Sequence, residues 1–352
     1  DYVANITSIT VGEGITSVGK NAFYDFRSLK SISLPSTLTA IGDSAIRSCP
    51  QLTEITLPDS LKTIGVRALE SSGIANKIVL PSSIESIGKY AFTWTNITGV
   101  DLSAATNLKT IEEAVFAECP NLAGDIVIPG NVTAIGKVAF AHNAGITGLD
   151  LSKAANLQTI GEGAFEKCTS LTSKITIPGT VTLIDRYAFN GTGIQGLDLS
   201  GAHALKTIAT GAFVDCQFPD LYIPASVKDI QQAAFARNHA LAKITFEDGF
   251  NGSIYETTPV PEGEEPEGQL GENEYWVYMG AFYASKPYTV INLLPTTVIT
   301  SNDVVKNYDW TSEHRDAQFE AKTLNFDLNG GEVAKENQLS YDLNGGKQEK
   351  AN

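Results

Sequence analysis

The chain has 352 residues, of which 42% are hydrophobic and 18% charged, so it can build a packed core and does not have the composition of a disordered protein. Its net charge of -15 and pI of about 4.7 repel phosphate backbones and anionic lipid head groups, which argues against nucleic acid as a partner. No apolar run approaches the roughly 18 residues that a membrane span needs, so direct membrane insertion is not expected.

An alanine-aromatic pair, first seen at Ala22-Phe23, recurs along the chain in strong and weak copies. Its second residue, here called the aromatic position, falls at Phe23, Ile46, Leu69, Phe92, Phe116, Phe140, Phe165, Phe189, Phe213 and Phe235. The step is 22 to 25 residues. Such a period is typical of a solenoid whose units stack because none can bury its apolar face alone.

Two further patterns accompany each aromatic position. An apolar residue, mostly isoleucine, precedes it by five residues and forms an unbroken isoleucine column from Val18 to Ile230. Short alternating stretches such as ITLP, IVLP and LDLS come earlier in each unit and predict strands with one buried face. We therefore expect a mostly β solenoid of about eleven or twelve units with stacked parallel strands. From Val100 on, longer LS units alternate with shorter IP units, which indicates duplication of a two-repeat block.

Glycine often follows the isoleucine column, as at Gly65. Four other units carry a side chain at that position, namely Glu112, Asp185, Ala209 and Gln231. Because these residues resist a positive φ, the position is interpreted as one of close packing or tolerance and not as a left-handed turn.

The units LTEITLPDSLKTIGVRAL (52–69) and LTSKITIPGTVTLIDRYAF (171–189) resemble the BspA-like leucine-rich repeats of bacterial and some protist surface proteins. The resemblance covers about two thirds of the chain. It implies a curved leucine-rich-repeat solenoid and a secreted or cell-surface, extracellular location. It also implies adhesion to host proteins, neighbouring-cell proteins or matrix proteins as partners.

The sequence divides into four predicted regions. They are BspA-like repeats at 1–246, an acidic Pro/Gly/Glu-rich insertion at 247–274, a last repeat with a divergent cap at 275–321, and a short β-rich LNGG tail at 322–352. The insertion could instead be a degenerate repeat. The next aromatic position is predicted at Phe282, and YTVINLLP (288–295) is predicted to add a strand. The tail resembles the start of the β-rich repeats found in internalin-like surface proteins.

All four cysteines lie three residues after an aromatic position, at Cys49, Cys119, Cys168 and Cys216. Residues two units apart in a stack are separated by about 10 Å, beyond the roughly 7 Å reach of a disulfide. We predict four free, buried thiols. No catalytic motif, nucleotide-binding loop or metal-ligand spacing is recognisable, so no catalytic, cofactor or metal site is predicted and the chain is expected not to be an enzyme.

The outward position of each strand forms a column in which four residues are candidates for contacting a partner: Asp101, Asp150, Asp198 and Tyr222. The aspartates recur in alternate units, either as an acidic stripe for a cationic partner or as a solvated face inherited by duplication. The leading functional hypothesis is a non-enzymatic binding or adhesion protein that acts through this sheet face or through the 247–274 loop. The alternative is a passive spacer that displays a neighbouring module. An enzyme with a spatially assembled site is a third reading.

Overall fold

The computed structural model describes residues 5–254, 281–282 and 289–291. Within these residues the chain contains strands and turns but no helix, and it winds into a β-solenoid of about 11 turns with a period of about 23 residues. Paired residues lie 22 to 25 positions apart, from Thr207 with Asp229 to Ala134 with Thr159, except at the C-terminal end, where Lys243 pairs with Thr289, 46 positions later. The predicted fold class, a mostly β solenoid with stacked parallel strands, is confirmed.

The strands are numbered β1 to β22 along the chain and fall into two parallel ladders. The first ladder holds most of the strands that the alternating patterns predict: β1 (Ser8–Thr10), β3 (Ser31–Ser33), β6 (Ile78–Val79), β8 (Val100–Asp101), β10 (Ala123–Val127), β12 (Gly145–Asp150), β14 (Lys174–Thr176), β16 (Gly196–Asp198), β18 (Asp220–Ile223), β20 (Lys243–Phe246) and β22 (Thr289–Ile291). The strand predicted at ITLP (55–58) is absent, because the Asn76 side chain, and not a neighbouring strand, bonds the backbone N–H and carbonyl of Ile55. Its pairings β6-β8, β10-β12 and β14-β16 each join a unit ending in Leu-Pro or Ile-Pro to the LS unit that follows it. The two-repeat block is therefore visible in the pairing of the strands.

The second ladder is the isoleucine column, which the sequence patterns did not identify as strands. Its members are β2 (Ser17–Val18), β4 (Ala40–Ile41), β5 (Thr63–Ile64), β7 (Ser86–Ile87), β9 (Thr110–Ile111), β11 (Ala134–Ile135), β13 (Thr159–Ile160), β15 (Leu183–Ile184), β17 (Thr207–Ile208), β19 (Asp229–Ile230) and β21 (Ser253–Ile254). It consists of a four-stranded part ending at β7 and a seven-stranded part beginning at β9. Each strand has two residues, too few for an alternating pattern to be visible in the sequence.

The aromatic positions form a column inside the solenoid. From Phe92 to Phe235 the rings stack in order with centroids 5.2 to 5.4 Å apart, and Phe282 continues the stack 5.3 Å beyond Phe235. The stack confirms Phe282 as the next aromatic position. The preceding alanines are buried, which lets adjacent turns approach closely.

The C-terminal predictions are only partly covered by the described residues. The predicted strand within YTVINLLP is present as β22, paired with β20. The second ladder continues past Phe246 to β21, and the structure resumes at the aromatic position Phe282. Most of the proposed insertion and the whole 322–352 tail lie outside the described residues, so the domain boundaries stay predictions.

The turn around each aromatic position uses two left-handed residues. They lie two positions before and two after it in every unit from Phe23 to Phe235, and 17 of them are not glycine. In the central unit, the backbone N–H groups of Gly163, Phe165 and Lys167 each donate to a carbonyl of the next turn at 2.8 Å. A non-glycine residue at positive φ is strained. The inter-turn hydrogen bonds offset that strain and add a third line of bonds between turns.

A buried polar column lies three residues after the aromatic column. It consists of Cys49, Ser72, Thr95, Cys119, Asn143, Cys168, Thr192, Cys216 and Asn238. These side chains contact carbonyl oxygens at the aromatic positions: Cys119 Sγ lies 3.2 Å from the Phe92 carbonyl oxygen and Asn143 Nδ2 2.7 Å from that of Phe116. Cysteine here is one of several small residues that can serve these buried carbonyl groups.

The four cysteines are free and buried, as predicted. Burial raises the pKa of Cys49 and Cys119 to about 11 and that of Cys168 and Cys216 to about 12. We expect an aromatic disulfide reagent at pH 8 to titrate none of them in the native protein and all four in denaturant, because the native thiols are protonated and inaccessible. Fast reaction of native thiols, or fewer than four thiols after denaturation, would contradict this structure.

The glycine that follows the isoleucine column packs against the preceding turn, and its φ is not positive. A Cβ on Gly65 would lie 2.5 Å from the backbone nitrogen of Asp43, whereas a Cβ on the equivalent Gly19, in the first unit, would meet nothing within 4 Å. In every unit that has this glycine and a turn packed before it, the glycine therefore allows the two turns to pack closely.

Replacing Gly65 with alanine is expected to lower the free energy of unfolding by about 1–3 kcal/mol, because the two turns must move apart. Gly19→Ala is the matched control and is expected to be neutral or stabilising by up to about 1 kcal/mol, since it only restricts the unfolded chain. Urea denaturation of both variants provides the measurement. Equal effects in the two variants would rule out the backbone contact as the cause.

Candidate interaction surfaces

The outward side of the first ladder, here called the strand face, carries the four residues singled out from the sequence. The structure places Asp101, Asp150 and Asp198 in matching positions at the ends of β8, β12 and β16, and Tyr222 in β18. They belong to one column of outward residues, and all four are partly exposed. The four residues lie in one line along the stack. The three aspartates are in alternate turns, with β10 and β14 between them.

Each of the three aspartates closes a local turn. Asp101 Oδ1 accepts hydrogen bonds from the backbone N–H of Ser103 at 3.0 Å and from its hydroxyl at 2.6 Å, and Asp198 does the same with Ser200. Asp150 accepts from the backbone N–H of Ser152 at 2.8 Å. The serine of the repeated DLS motif is thus a hydrogen-bond donor that ends the strand.

Two of the aspartates also pair with a lysine of the preceding turn, which lies just before β6 in one case and at the start of β14 in the other. Lys77 Nζ lies 3.3 Å from Asp101 Oδ2, and Lys174 Nζ lies 2.8 Å from Asp198 Oδ2. The lysine hydrogen bond, followed by that of the Ser200 hydroxyl, lowers the pKa of Asp198 to about 2. For Asp101 the Ser103 hydrogen bonds are the larger cause of a lowered pKa, ahead of Lys77.

The middle block differs from its two neighbours in charge. The position equivalent to Lys77 and Lys174 is occupied by Asp125, so Asp150 lacks the lysine of that position and has Lys153 as its nearby cation. Asp125 Oδ1 accepts a hydrogen bond from the Thr147 hydroxyl at 2.9 Å. Hydrogen bonding to Ser152 still keeps the pKa of Asp150 below its usual value. The middle block of the strand face therefore lacks the lysine-aspartate ion pair that its two neighbours have.

Tyr222 lies in the part of the strand face formed by the last described turns. Burial, and then the nearby charge of Glu247, raise the pKa of its hydroxyl. Its neighbours in the ladder are Asp220 and Thr245, on β18 and β20. The side chain offers an aromatic surface with a protonated hydroxyl at neutral pH.

A second surface, which the sequence analysis missed, lies on the outside of the turns around the aromatic positions. It is defined by Tyr24, Arg47, Arg67, Glu70, Tyr90 and Trp94 and is here called the arginine-tyrosine patch. The Glu70 side chain is 1% exposed and sits between two arginines, with Arg47 Nε 2.5 Å from Oε2 and Arg67 Nη1 3.4 Å from Oε1. Both guanidinium groups therefore lie against one buried carboxylate, as an ion pair for Arg47 and as a hydrogen-bonded ion pair for Arg67.

Each arginine of the patch also stacks on a tyrosine ring. The guanidinium carbon of Arg47 lies 5.8 Å from the ring centroid of Tyr24, and that of Arg67 lies 4.9 Å from the ring centroid of Tyr90. The Tyr90 hydroxyl donates a 2.5 Å hydrogen bond to Glu113, which raises the pKa of Tyr90 and lowers that of Glu113. These contacts span five consecutive turns.

A family comparison fits this architecture. The family described as BspA type Leucine rich repeat region matches residues 1–123, 85–204 and 158–257, in six copies. The chain belongs to this family. No curated protein matches the chain.

Several solved structures are similar to this BspA-type repeat chain. A leucine-rich repeat protein from Bacteroides ovatus is 19% identical, with 70% of this chain and 83% of that chain covered and a TM-score of 0.37. A leucine rich cell surface protein from Faecalibacterium prausnitzii is 20% identical, with 69% and 79% covered and a TM-score of 0.35. The pneumococcal vaccine antigen PcpA is 20% identical, with 71% and 65% covered and a TM-score of 0.39.

Because BspA-type repeats stack in register, the residue at one position of a unit can be compared with the residues at the same position of the other units. The position of Arg67 and Tyr90, two residues before the aromatic column, holds alanine, valine or glycine in five of the six later units, at Ala114, Val138, Gly163, Gly211 and Ala233. The same backbone therefore forms without the aromatic and arginine side chains. The composition of the patch is not required by the fold.

In the part of the BspA-type chain that the structure describes, no helix is long and apolar enough to cross a membrane. Within the same residues, no group of three or more His, Cys, Asp or Glu side chains is arranged to hold a metal ion.

Proposed function

We propose that this protein is a non-enzymatic, surface-displayed binding protein that recognises host, neighbouring-cell or matrix proteins through its strand face. Membership of the BspA-type family supports a role in protein-protein interaction at a surface. The observation that carries the proposal is the outward column of partly exposed side chains in which Asp101, Asp150 and Asp198 recur in alternate turns and Tyr222 follows.

The physical argument is one of shape and charge. A ladder of strands about 4.8 Å apart gives a long, rigid surface on which partly exposed side chains are held in fixed register. Its centre carries Asp125 and Asp150, so a partner with lysine or arginine side chains would complement it electrostatically. Such complementarity increases the association rate and the specificity more than the affinity.

The test is a surface plasmon resonance screen against extracellular-matrix and host-cell proteins. The key variant replaces Asp101, Asp150 and Asp198 with asparagine, which keeps an acceptor oxygen for the serines but removes three charges. The control Asp59→Asn, Glu85→Gln, Glu118→Gln removes the same charge from exposed positions elsewhere. We expect saturable binding that weakens at least tenfold in the strand-face variant and is unchanged in the control.

Other outcomes assign the function elsewhere. Binding that survives the strand-face substitutions but disappears when residues 255–274 are deleted would place recognition in that segment. If no partner in the panel binds saturably, the binding proposal fails and the protein is better described as a spacer that displays a neighbouring module.

A further inference from the structure

We propose that the arginine-tyrosine patch is a second recognition surface, and that it takes an extended protein segment in which one carboxylate side chain is flanked by apolar residues. This inference rests on the proposed function as a binding protein, but it concerns a different side of the solenoid. It follows from the composition, geometry and exposure of the patch.

The composition of the patch is that of an energetically important protein contact. Tryptophan, tyrosine and arginine are the residue types most enriched among side chains that dominate binding energy. Trp94 is 57% exposed and Tyr24 is 45% exposed, whereas the phenylalanines of the aromatic column from Phe92 to Phe235 are fully buried. Exposed Val66 belongs to the same turn as Arg67 and adds apolar surface.

The two guanidinium groups are oriented for an anion. Both contact the buried Glu70, so they lie side by side, and both are held by stacking on a tyrosine ring. Glu70 is contacted by one nitrogen of each arginine, while a guanidinium has five N–H donors. The Arg47 and Arg67 side chains remain 30% and 41% exposed. A ligand carboxylate on the solvent side can therefore be bound by both arginines at once.

Local charge does not oppose an acidic ligand even though the whole chain is acidic. The charged residues around the patch are the cations Lys20, Arg27, Arg47, Arg67, Lys89 and Lys137 and the anions Asp25, Asp43, Glu70, Glu112, Glu113 and Glu118. Six cations and six anions give a net charge of zero, against -15 for the chain. The patch is thus an exception to the field of the protein, and the arginines cost little rotamer entropy on binding because they are already ordered.

The spacing of the patch favours a polypeptide over a compact anion. Tyr24 lies one turn before Arg47, while Tyr90 and Trp94 lie one turn after Arg67 and Glu70, so the aromatic groups are three turns or roughly 15 Å apart. In an extended segment, residues i, i+2 and i+4 face the same side and span about 13 Å. A sequence of the form apolar-x-acidic-x-apolar would place its carboxylate on the arginines and its apolar side chains on the aromatic rings.

The probe is an acetylated, amidated peptide Gly-Leu-Thr-Glu-Thr-Leu-Gly, with a peptide carrying glutamine in place of glutamate as its neutral counterpart. Binding of each to the full chain is measured by isothermal titration calorimetry at two salt concentrations. We expect saturable binding of the acidic peptide that is at least tenfold tighter than that of the glutamine peptide and weakens with salt.

Variants identify the surface. Trp94→Ala removes an exposed ring, and the double variant Arg47→Lys, Arg67→Lys keeps two charges beside Glu70 but loses the planar guanidinium groups. Both are expected to weaken binding at least tenfold. Tyr187→Ala is the matched control because Tyr187 is also exposed (41%) and left-handed on the turn side, outside the patch. It is expected to leave binding unchanged, and urea unfolding midpoints show whether each variant is folded.

Several results would overturn the proposal. These are no binding of the acidic peptide, equal binding of the two peptides, or equal losses in Trp94→Ala and Tyr187→Ala. Binding of an oligomeric uronic acid in place of the peptide would also overturn it, since the ligand class would then be a glycan. If a protein partner binds through the strand face while the peptide does not, only this inference fails. If neither binds, the proposed function fails as well.

Discussion

Replacing Phe165 with alanine is expected to lower the free energy of unfolding by about 3–5 kcal/mol, the range found for truncation of a fully buried aromatic residue. The Phe165 ring is 0% exposed and stacks between Phe140 and Phe189 at 5.3 and 5.4 Å, with interplanar angles of 3° and 7°. Removing it leaves a cavity that neither neighbouring turn can fill, because both are held in register by hydrogen bonds on either side of the ring.

Urea or guanidinium denaturation followed by circular dichroism measures this loss. Phe165→Leu is the matched control, since leucine occupies the equivalent position at Leu69, and it is expected to cost clearly less. An interruption of the stack should also reduce the cooperativity of unfolding, because each turn interacts only with its neighbours. If Phe165→Ala unfolds at the same denaturant concentration as the wild type, the aromatic column does not stabilise the solenoid as we describe.

Replacing Asn143 with alanine is expected to have an effect of similar size, about 3–5 kcal/mol, for a different physical reason. Asn143 is fully buried, and its Nδ2 donates to the carbonyl oxygens of Phe116 at 2.7 Å and Phe140 at 2.8 Å. Its Oδ1 accepts from the backbone N–H of Cys119 at 2.8 Å. Each buried polar group left without a partner costs about 1–3 kcal/mol.

The control for this prediction comes from the same column. Asn143→Thr introduces the residue found at Thr95 and Thr192, where the hydroxyl donates to the carbonyl of its own aromatic position at 2.7 and 2.8 Å. Threonine restores one of the three hydrogen bonds, so a loss intermediate between wild type and alanine is expected in the same denaturation experiment. An alanine variant as stable as the threonine variant would show that hydrogen bonding is not the reason for the polar column.

Much of the fold could be predicted because the repeats are copies of one unit. The aromatic column, the isoleucine column and the four cysteines each appear in the sequence at a fixed offset, and stacking in register carries each offset into a column in space. The fixed offset of Cys49 and its equivalents from the aromatic positions was enough to predict that they are buried. The outward residues of the strand face could also be predicted, because side chains in a strand such as IVLP point alternately inward and outward.

The left-handed residues of the turns could not be predicted from composition. Glycine is the usual signal for positive φ, but it occupies only Gly163, Gly191 and Gly211 among the two left-handed positions of each unit. Elsewhere residues such as Tyr90 and Val138 adopt this conformation, because hydrogen bonds to the next turn determine the backbone. Tertiary contacts override local preference there.

The arginine-tyrosine patch was missed for a related reason, although the sequence contains a signal for it. Its contacts join residues 23 positions apart, such as Arg47 with Glu70 and Arg67 with Tyr90. Pairing charged and aromatic residues one period apart would have identified the network. A local motif search does not make this comparison, because no two members of these pairs are neighbours in the chain.

The three lines of inter-turn hydrogen bonds run along the solenoid axis and have a consequence for a chain under tension. When such a stack is pulled from its ends, an outer turn can peel away without disturbing turns further along, since every bond joins nearest neighbours. A turn of about 23 residues releases roughly 80 Å of extended chain. The solenoid would then lengthen in steps of one repeat, and the turns that remain stacked would keep their surfaces intact while load is absorbed.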